Sequence, residues 1–181
     1  MSNSPLVEYI AISPNFAPRE HVIDTITIHH MAGNMTVEEC GALFGVGGKR
    51  ASSNYAVGSD GRIAMYVEEC NRSFCSSSPT NDDRAITVEV ANDGGDESGW
   101  HVSDKALASL VELLCDVCAR NNIPSLKWEN NPEYIGMPEK QNMTIHCWFK
   151  QKICPGPYLL SKHGWIAEQV NKRLREKAET E

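Results

Sequence analysis

One short segment near the carboxyl end of the chain combines residue types that bind metal ions. It runs from His146 to Cys154 and holds an imidazole, the amine of Lys152 and a thiol within nine residues. Zinc binds neutral imidazole and thiolate readily, and Pro155 with Gly156 predicts a rigid turn after the thiol that stops any helix. Taken alone, the segment fits a buried cysteine near a surface histidine equally well, because such pairs are common by chance.

A second histidine capable of binding the same ion ends a predicted strand far upstream. Residues 24–30 are rich in β-branched side chains and alternate in side-chain direction, which predicts a β-strand. Ile26 and Ile28 share one face with His30, whereas His29 points to the opposite, more polar face. We therefore expect His29 to present its imidazole at the end of this strand.

A carboxylate lies at the matching position of another predicted strand, residues 85–91. Ile86 and Val88 share one face and Glu89 points the other way. If the polar faces of both strands meet in one sheet, Glu89 lies beside a metal on His29, although a lone strand Glu is usually solvent-facing. Two imidazoles, one thiolate and a carboxylate beside an open fourth position together indicate a catalytic zinc site.

The chain resembles the zinc-dependent N-acetylmuramoyl-L-alanine amidases, a family that includes phage and bacterial endolysins and the peptidoglycan recognition proteins. The resemblance runs from about Ile23 to about Tyr158 and rests on four motifs in the family's order. These are Ile-Thr-Ile-His29-His, Ser-Ser-Asn-Tyr55-Ala-Val-Gly-Ser-Asp-Gly61, Ile-Thr-Val-Glu89-Val, and His146-x5-Lys152-x-Cys154-Pro-Gly.

The resemblance implies a role for each matching residue. His29, His146 and Cys154 are the expected Zn²⁺ ligands, and His30 is expected to be structural or to orient a ligand. Glu89 is expected to act as general base and Lys152 to stabilise the oxyanion. The implied reaction is hydrolysis of the amide between N-acetylmuramic acid and L-alanine in peptidoglycan. The implied fold is α/β, a single domain with a mixed central β-sheet flanked by helices.

Two positions depart from the family's pattern. Many members carry a tyrosine that assists catalysis where this chain has Ser53, and its absence points to the endolysin-like variant in which Glu89 is the base. A common Trp-His pair after the second hairpin is replaced by Phe74 and Cys75, which changes the wall of the groove on the substrate side and removes no metal ligand.

Two other functions stay open at this stage. A non-catalytic peptidoglycan-binding protein of the same fold typically lacks a zinc ligand, most often the cysteine, whereas this chain retains Cys154. A purely structural zinc site has four protein ligands. That site would need a fourth ligand such as His30 or His101.

Composition and charge limit the classes of molecule that the protein is expected to bind. The 181 residues carry a net charge of −7 with a pI near 5.4, and nucleic-acid-binding proteins display basic faces instead. No apolar run is long enough to span a bilayer, and the first residues lack the pattern of a secretory signal. We expect a monomer that is made in the cytoplasm, contacts no membrane, and reaches the cell wall by release or another export route.

The seven cysteines are expected to be mainly reduced.

The remaining pattern predicts the elements that position these residues. Residues 1–22 are expected to form an arm packed on a catalytic domain of residues 23–181. The pattern predicts helices over 36–44, 103–121 and 161–177, and a hairpin that joins 55–57 to 62–67. Cys115 and Cys118 lie on the apolar stripe of the second helix and are expected in the core. Cys70 and Cys75 could pair in an oxidising medium.

Overall fold

The computed structural model describes residues 2–48 and 50–179. Met1 of the predicted arm, and Lys49, Thr180 and Glu181 of the predicted catalytic domain, lie outside the described residues. Among the helices of the described ranges, none combines the length and the apolar character needed to cross a bilayer.

A mixed six-stranded sheet lies at the centre of the molecule, in the order β1-β5-β4-β7-β3-β8. Its strands are β1 (Tyr9–Ile10), β3 (Thr25–His30), β4 (Tyr55–Val57), β5 (Ile63–Met65), β7 (Ala85–Val90) and β8 (Met143–Thr144). A separate antiparallel ribbon pairs β2 (Phe16–Pro18) with β6 (Asn71–Ser73). The helices are α1 (Val37–Phe44), α2 (Pro79–Arg84), α3 (Asp104–Arg120) and α4 (Gly156–Ala178). The predicted α/β fold with a mixed sheet flanked by helices is confirmed.

Strands β3 and β7 are neighbouring interior strands of this sheet and run parallel. Their isoleucines and valines are fully buried, which explains why β-branched residues dominate both segments. The register places His29 opposite Glu89. Because registered residues of neighbouring strands point to the same face of a sheet, both side chains emerge together on the face predicted to be polar.

Capping and turn residues define the starts of α1 and α3 and the β4–β5 hairpin, as the sequence predicts. Thr36 and Glu39 form a reciprocal capping box at the start of α1. Strands β4 and β5 pair antiparallel around a turn whose last residue, Gly61, has a φ of +90°, a conformation that glycine adopts without strain. Ser103 caps α3 by accepting a hydrogen bond from the amide of Ala106.

Helices α3 and α4 cover one face of the sheet and bury the main core against it. Cys115 and Cys118 lie within this core, as their place on the apolar stripe predicts. The seven cysteines are all free, so Cys70 and Cys75 are not paired in this structure.

The last helix begins earlier than predicted, at Gly156 instead of Ser161. Cys154 and Pro155 lie in a turn, as predicted, but this turn leads directly into α4 and does not precede a further stretch of loop. Pro155 occupies the position just before α4 without making a capping hydrogen bond. Pro157 lies in the first turn, where proline is well tolerated because the amide it lacks has no partner within the helix. The same two residues that end the predicted metal-binding segment therefore start the helix that supports it.

Candidate metal centre and active site

The three predicted metal ligands converge at the carboxyl end of the central strands. His29 lies near the end of β3, His146 starts a short 3-10 turn after β8, and Cys154 lies two residues before α4. One donor atom from each lies within 4.8 Å of the other two. The Nδ1 atom of His29 is 3.3 Å from the Sγ atom of Cys154.

Backbone pairing explains why residues so distant in sequence meet. Strand β8 pairs with β3, so the turn that follows β8 brings His146 beside the end of β3. The amide of Cys147 donates a 3.1 Å hydrogen bond to the carbonyl oxygen of Cys154 and closes the intervening segment into a loop. The Oγ atom of Ser77 lies 3.1 Å from the Nε2 atom of His146 and orients that ring.

Burial keeps both imidazoles neutral, with a lone pair available for a cation. The pKa of His29, which is fully buried, lies well below its ordinary value, mainly because burial disfavours the charged ring. Burial lowers the pKa of His146 to about 4, assisted by the positive charges of Lys152 and Lys150. Neutral imidazole is the form that binds metal ions.

The thiol of Cys154 requires a cation to become a ligand. Burial, followed by the charge of Glu89, raises its pKa above the ordinary value, while a hydrogen bond from the backbone of His30 acts in the opposite direction. A metal ion bound to a cysteine displaces the thiol proton. Without a positive charge, this buried group stays a neutral thiol.

Glu89 lies next to this group, on the same face as His29. Its carboxylate, the thiol of Cys75 and a ring nitrogen of His29 offer donor atoms within 4.8 Å of one another. The Oε1 atom accepts a 3.6 Å hydrogen bond from Cys75. The Oε2 atom is buried and has no hydrogen-bond partner in the described part of the chain. Burial raises the pKa of Glu89 to about 8, against the lowering effect of the Cys75 contact.

The donor set fits a catalytic zinc ion. Imidazole nitrogen and cysteine thiolate are donors that zinc binds, and catalytic zinc sites have three protein ligands and an open fourth position. The Nε2 atom of His29 and the Oε2 atom of Glu89 are buried without partners among the described residues, which is costly unless a ligand or solvent satisfies them. The residues present therefore fit Zn²⁺ with a carboxylate beside it.

The two histidines considered as a fourth ligand lie outside the metal-binding group, although the Nε2 atom of His30 is also buried without a partner among the described residues. The ring of His30 packs against Trp100 with centroids 4.0 Å apart, and its Nδ1 atom is 2.8 Å from the carbonyl oxygen of Met31. His101 is exposed and bonds to Asp93. Within the described ranges, neither joins the group formed by the three predicted ligands, which disfavours a purely structural zinc site.

Lys152, the predicted oxyanion stabiliser, lies on the exposed side of the site. Its positive charge lowers the pKa of both His146 and Cys154. A cavity of about 470 Å³ lies close to His146. Ser77 connects the two, since it lines the cavity and contacts the His146 ring. The cavity's lining residues are Arg50, Arg72, Phe74, Ser77, Pro79, Asp82 and Lys150.

Two residues of the site were not assigned to it from the sequence. Ser77 lies in a serine-rich stretch that carries no distinctive motif. Cys75 was recognised only as a departure from a Trp-His pair, and that departure was the available signal of its position. The structure places the Cys75 thiol against Glu89.

Comparison with known proteins agrees with this geometry. The family described as N-acetylmuramoyl-L-alanine amidase matches residues 19–157 of the chain. None of the curated proteins compared with the chain matches it.

Several solved structures share the fold. The solution structure of the PlyG catalytic domain matches with a TM-score of 0.67 and 17% identity, over 91% of this chain and 93% of that one. A selenomethionine derivative of AmpD matches with a TM-score of 0.65 and 17% identity, over 91% and 96% of the two chains. A mutant endolysin from Bacillus subtilis matches with a TM-score of 0.63 and 16% identity, over 90% and 97%. At such identities the likeness establishes the fold alone.

Proposed function

The chain belongs to the N-acetylmuramoyl-L-alanine amidase family, and on that premise we propose that it hydrolyses the amide between N-acetylmuramic acid and L-alanine in peptidoglycan. The observation that carries this proposal is the convergence of His29, His146 and Cys154 with the carboxylate of Glu89 beside them. The substrate is the muramyl peptide of the bacterial cell wall. Residues 23–181 form the proposed catalytic domain, with residues 1–22 as an arm packed on it, and the enzyme acts as a monomer.

His29, His146 and Cys154 are the proposed zinc ligands. When bound, the ion supplies Lewis acidity, which activates a water molecule and polarises the scissile carbonyl. The chain contributes the orientation of the donors: burial keeps both imidazoles neutral, and Ser77 holds the His146 ring in place. These contacts are formed before any substrate binds, so little reorganisation is needed during the reaction.

Glu89 is the proposed general base. Its Oε2 atom has no protein partner in the described ranges and is therefore available to accept the proton of the attacking water. The raised pKa of this buried carboxylate makes it a stronger base than an exposed glutamate, and once protonated it can deliver the proton to the amine of the departing L-alanine. One side chain thus performs both proton transfers.

Lys152 is the proposed electrostatic stabiliser of the negative oxygen that develops on the attacked carbonyl. Its positive charge acts on the same region as the metal ligands, as its effect on the pKa of His146 indicates. A cation close to the attacked carbonyl stabilises a developing oxyanion more than it stabilises the neutral amide, which is the condition for catalysis.

A non-catalytic peptidoglycan-binding role is the alternative. It is disfavoured because the chain retains all three proposed ligands and a carboxylate with a free buried oxygen. The deciding experiment incubates the zinc-loaded protein with a purified muramyl peptide and identifies the products by mass spectrometry. Release of a free lactyl carboxylate together with a peptide beginning in L-alanine supports the proposal. Binding with the substrate left intact, or cleavage at another bond, contradicts it.

A further inference from the structure

Cys75 makes the hydrogen bond to Glu89 that the structure records at the site. Its Sγ atom lies 3.6 Å from the Oε1 atom of the carboxylate, within the range of a sulfur hydrogen bond. The second oxygen, Oε2, is buried and lacks a partner among the described residues. The two oxygens of Glu89 therefore have different environments, one bound to the thiol and one free.

The position of the thiol is fixed by a buried carboxylate on α2. Asp82, which is 2% exposed, accepts the backbone amide of Cys75 at 3.1 Å on Oδ2 and that of Ser76 at 3.0 Å on Oδ1. The hydroxyl groups of Ser73 and Thr87 lie 2.7 Å apart and join β6 to β7, the strand that carries Glu89. The loop bearing Cys75 is thus tied both to α2 and to the strand of the carboxylate.

Cys75 has the chemical form that this contact requires. Burial raises the pKa of its thiol well above the ordinary value, and the charge of Glu89 raises it further, so the sulfur keeps its proton and donates. A carboxylate held by a donor on one oxygen loses rotational freedom, and its second oxygen keeps a single direction.

We propose that Cys75 is a positioning residue for the reaction: its thiol holds Oε1 of Glu89 and leaves Oε2 as the oxygen that exchanges protons with water and the leaving amine. This inference rests on the proposed function, because it takes Glu89 as the general base.

A competing role for Cys75 is metal binding, because its sulfur, a carboxylate oxygen of Glu89 and a nitrogen of His29 lie within 4.8 Å of one another. In the described part of the chain, however, Cys75 does not belong to the group that joins His29 to His146 and Cys154. Positioning therefore explains its contacts better, and zinc content separates the two roles.

The test compares Cys75→Ala and Cys75→Val with the wild type and with Cys70→Ala, which removes an exposed cysteine of the same segment. Both Cys75 variants lack the donor. We expect one zinc per chain in each protein, an unchanged KM, and a kcat lowered about tenfold in the two Cys75 variants only, less than the roughly 10²-fold that a 1 Å misplacement can cost.

A double variant separates positioning from general structural damage. If Cys75 acts through Glu89, adding Cys75→Ala to Glu89→Gln causes no further loss of kcat, because the carboxylate it holds is already gone. An equal further loss in that background, a fall in zinc content, unfolding of both Cys75 variants, or wild-type kcat in both would each overturn the assignment. Failure of the proposed function is recognised separately, since the wild type itself would then release no peptide beginning in L-alanine, whereas failure of the general-base assignment alone would leave Glu89→Gln with near-normal turnover.

Discussion

His29 and Glu89 lie opposite each other in register on the parallel strands β3 and β7, so an imidazole and a carboxylate leave the sheet on the same face. The pairing fixes their separation through backbone hydrogen bonds in the most buried part of the molecule. A site built on central strands holds its groups more precisely than one built on loops.

Replacing Glu89 with Gln tests its role as the general base. The amide has nearly the same shape but cannot accept and return a proton at neutral pH. We expect the variant to fold and to bind one zinc ion, and to lose on the order of 10²–10⁴-fold in turnover. Steady-state kinetics on a muramyl peptide, with zinc measured on the same sample, give the answer. Near-normal turnover in zinc-replete protein would transfer the role to another group.

Replacing each histidine of the pair with Asn distinguishes the ligand from its neighbour. His29→Asn is expected to abolish zinc binding, because its ring approaches Cys154 directly. His30→Asn is expected to weaken binding only moderately, on the order of 10–100-fold, since that ring packs against Trp100 and acts on the site indirectly. Isothermal titration with zinc compares the two variants. If His30→Asn instead abolished zinc binding and His29→Asn retained it, His30 would be the ligand. The strand register would then no longer place Glu89 beside the metal.

Replacing Lys152 with Met removes the cation proposed to stabilise the oxyanion. We expect kcat to fall by roughly 10²–10³-fold, the range for loss of one such interaction, with little change in zinc content. Lys150→Met is the matched control, because it removes an exposed lysine that also acts on His146. Equal losses in both variants would indicate that net charge, and not the position of Lys152, affects the rate.

His163 predicts a pH dependence of stability that is independent of catalysis. This fully buried ring donates from Nδ1 to the carbonyl oxygen of Leu159, and burial lowers its pKa to about 4. Between pH 6.5 and 4 His163 binds a proton in the unfolded chain but not in the folded state. The free energy of unfolding therefore decreases as the pH falls through this window. The loss at this site is expected to reach about 3 kcal/mol.

The matched variant for this measurement is His163→Asn, whose side-chain amide retains a donor and does not titrate. Urea unfolding of the metal-free proteins at several pH values gives the difference in free energy of unfolding between wild type and variant. That difference should shift in favour of the variant as the pH falls from 7 to 4. A constant difference would show that His163 does not titrate as its burial implies.

The sequence predicted the parts of this molecule that depend on local patterns. The alternation of side-chain direction predicted β3 and β7. Because His29 and Glu89 both occupy positions on the polar face of this pattern, it also predicted that they point to the same side of the sheet. The capping residues Thr36 and Ser103 marked the starts of two helices. The membership of the amidase family, expected from four short motifs, is confirmed.

Features that depend on the path of the chain in space were not predictable. The contact between Cys75 and Glu89 exists because Asp82 holds the Cys75 loop through two backbone amides, which no spacing in the sequence reveals. The start of α4 was misjudged because Pro-Gly is compatible with both a turn and a first helical turn. In the folded chain Gly156 has a φ of +78° and lies so close to Trp100 and His30 that a side chain there would crowd both.

The most direct test of the account measures zinc content and turnover together in Cys154→Ser and in its control Cys147→Ser. Cys154 is buried beside His29, whereas Cys147 is exposed and borders the other ligand in sequence. A neutral hydroxyl is a poor replacement for a thiolate ligand. We predict that folded Cys154→Ser loses both zinc and release of L-alanine-terminated peptide, while Cys147→Ser retains both. A folded Cys154→Ser protein that still binds one zinc ion per chain and turns over substrate would contradict the proposed metal centre.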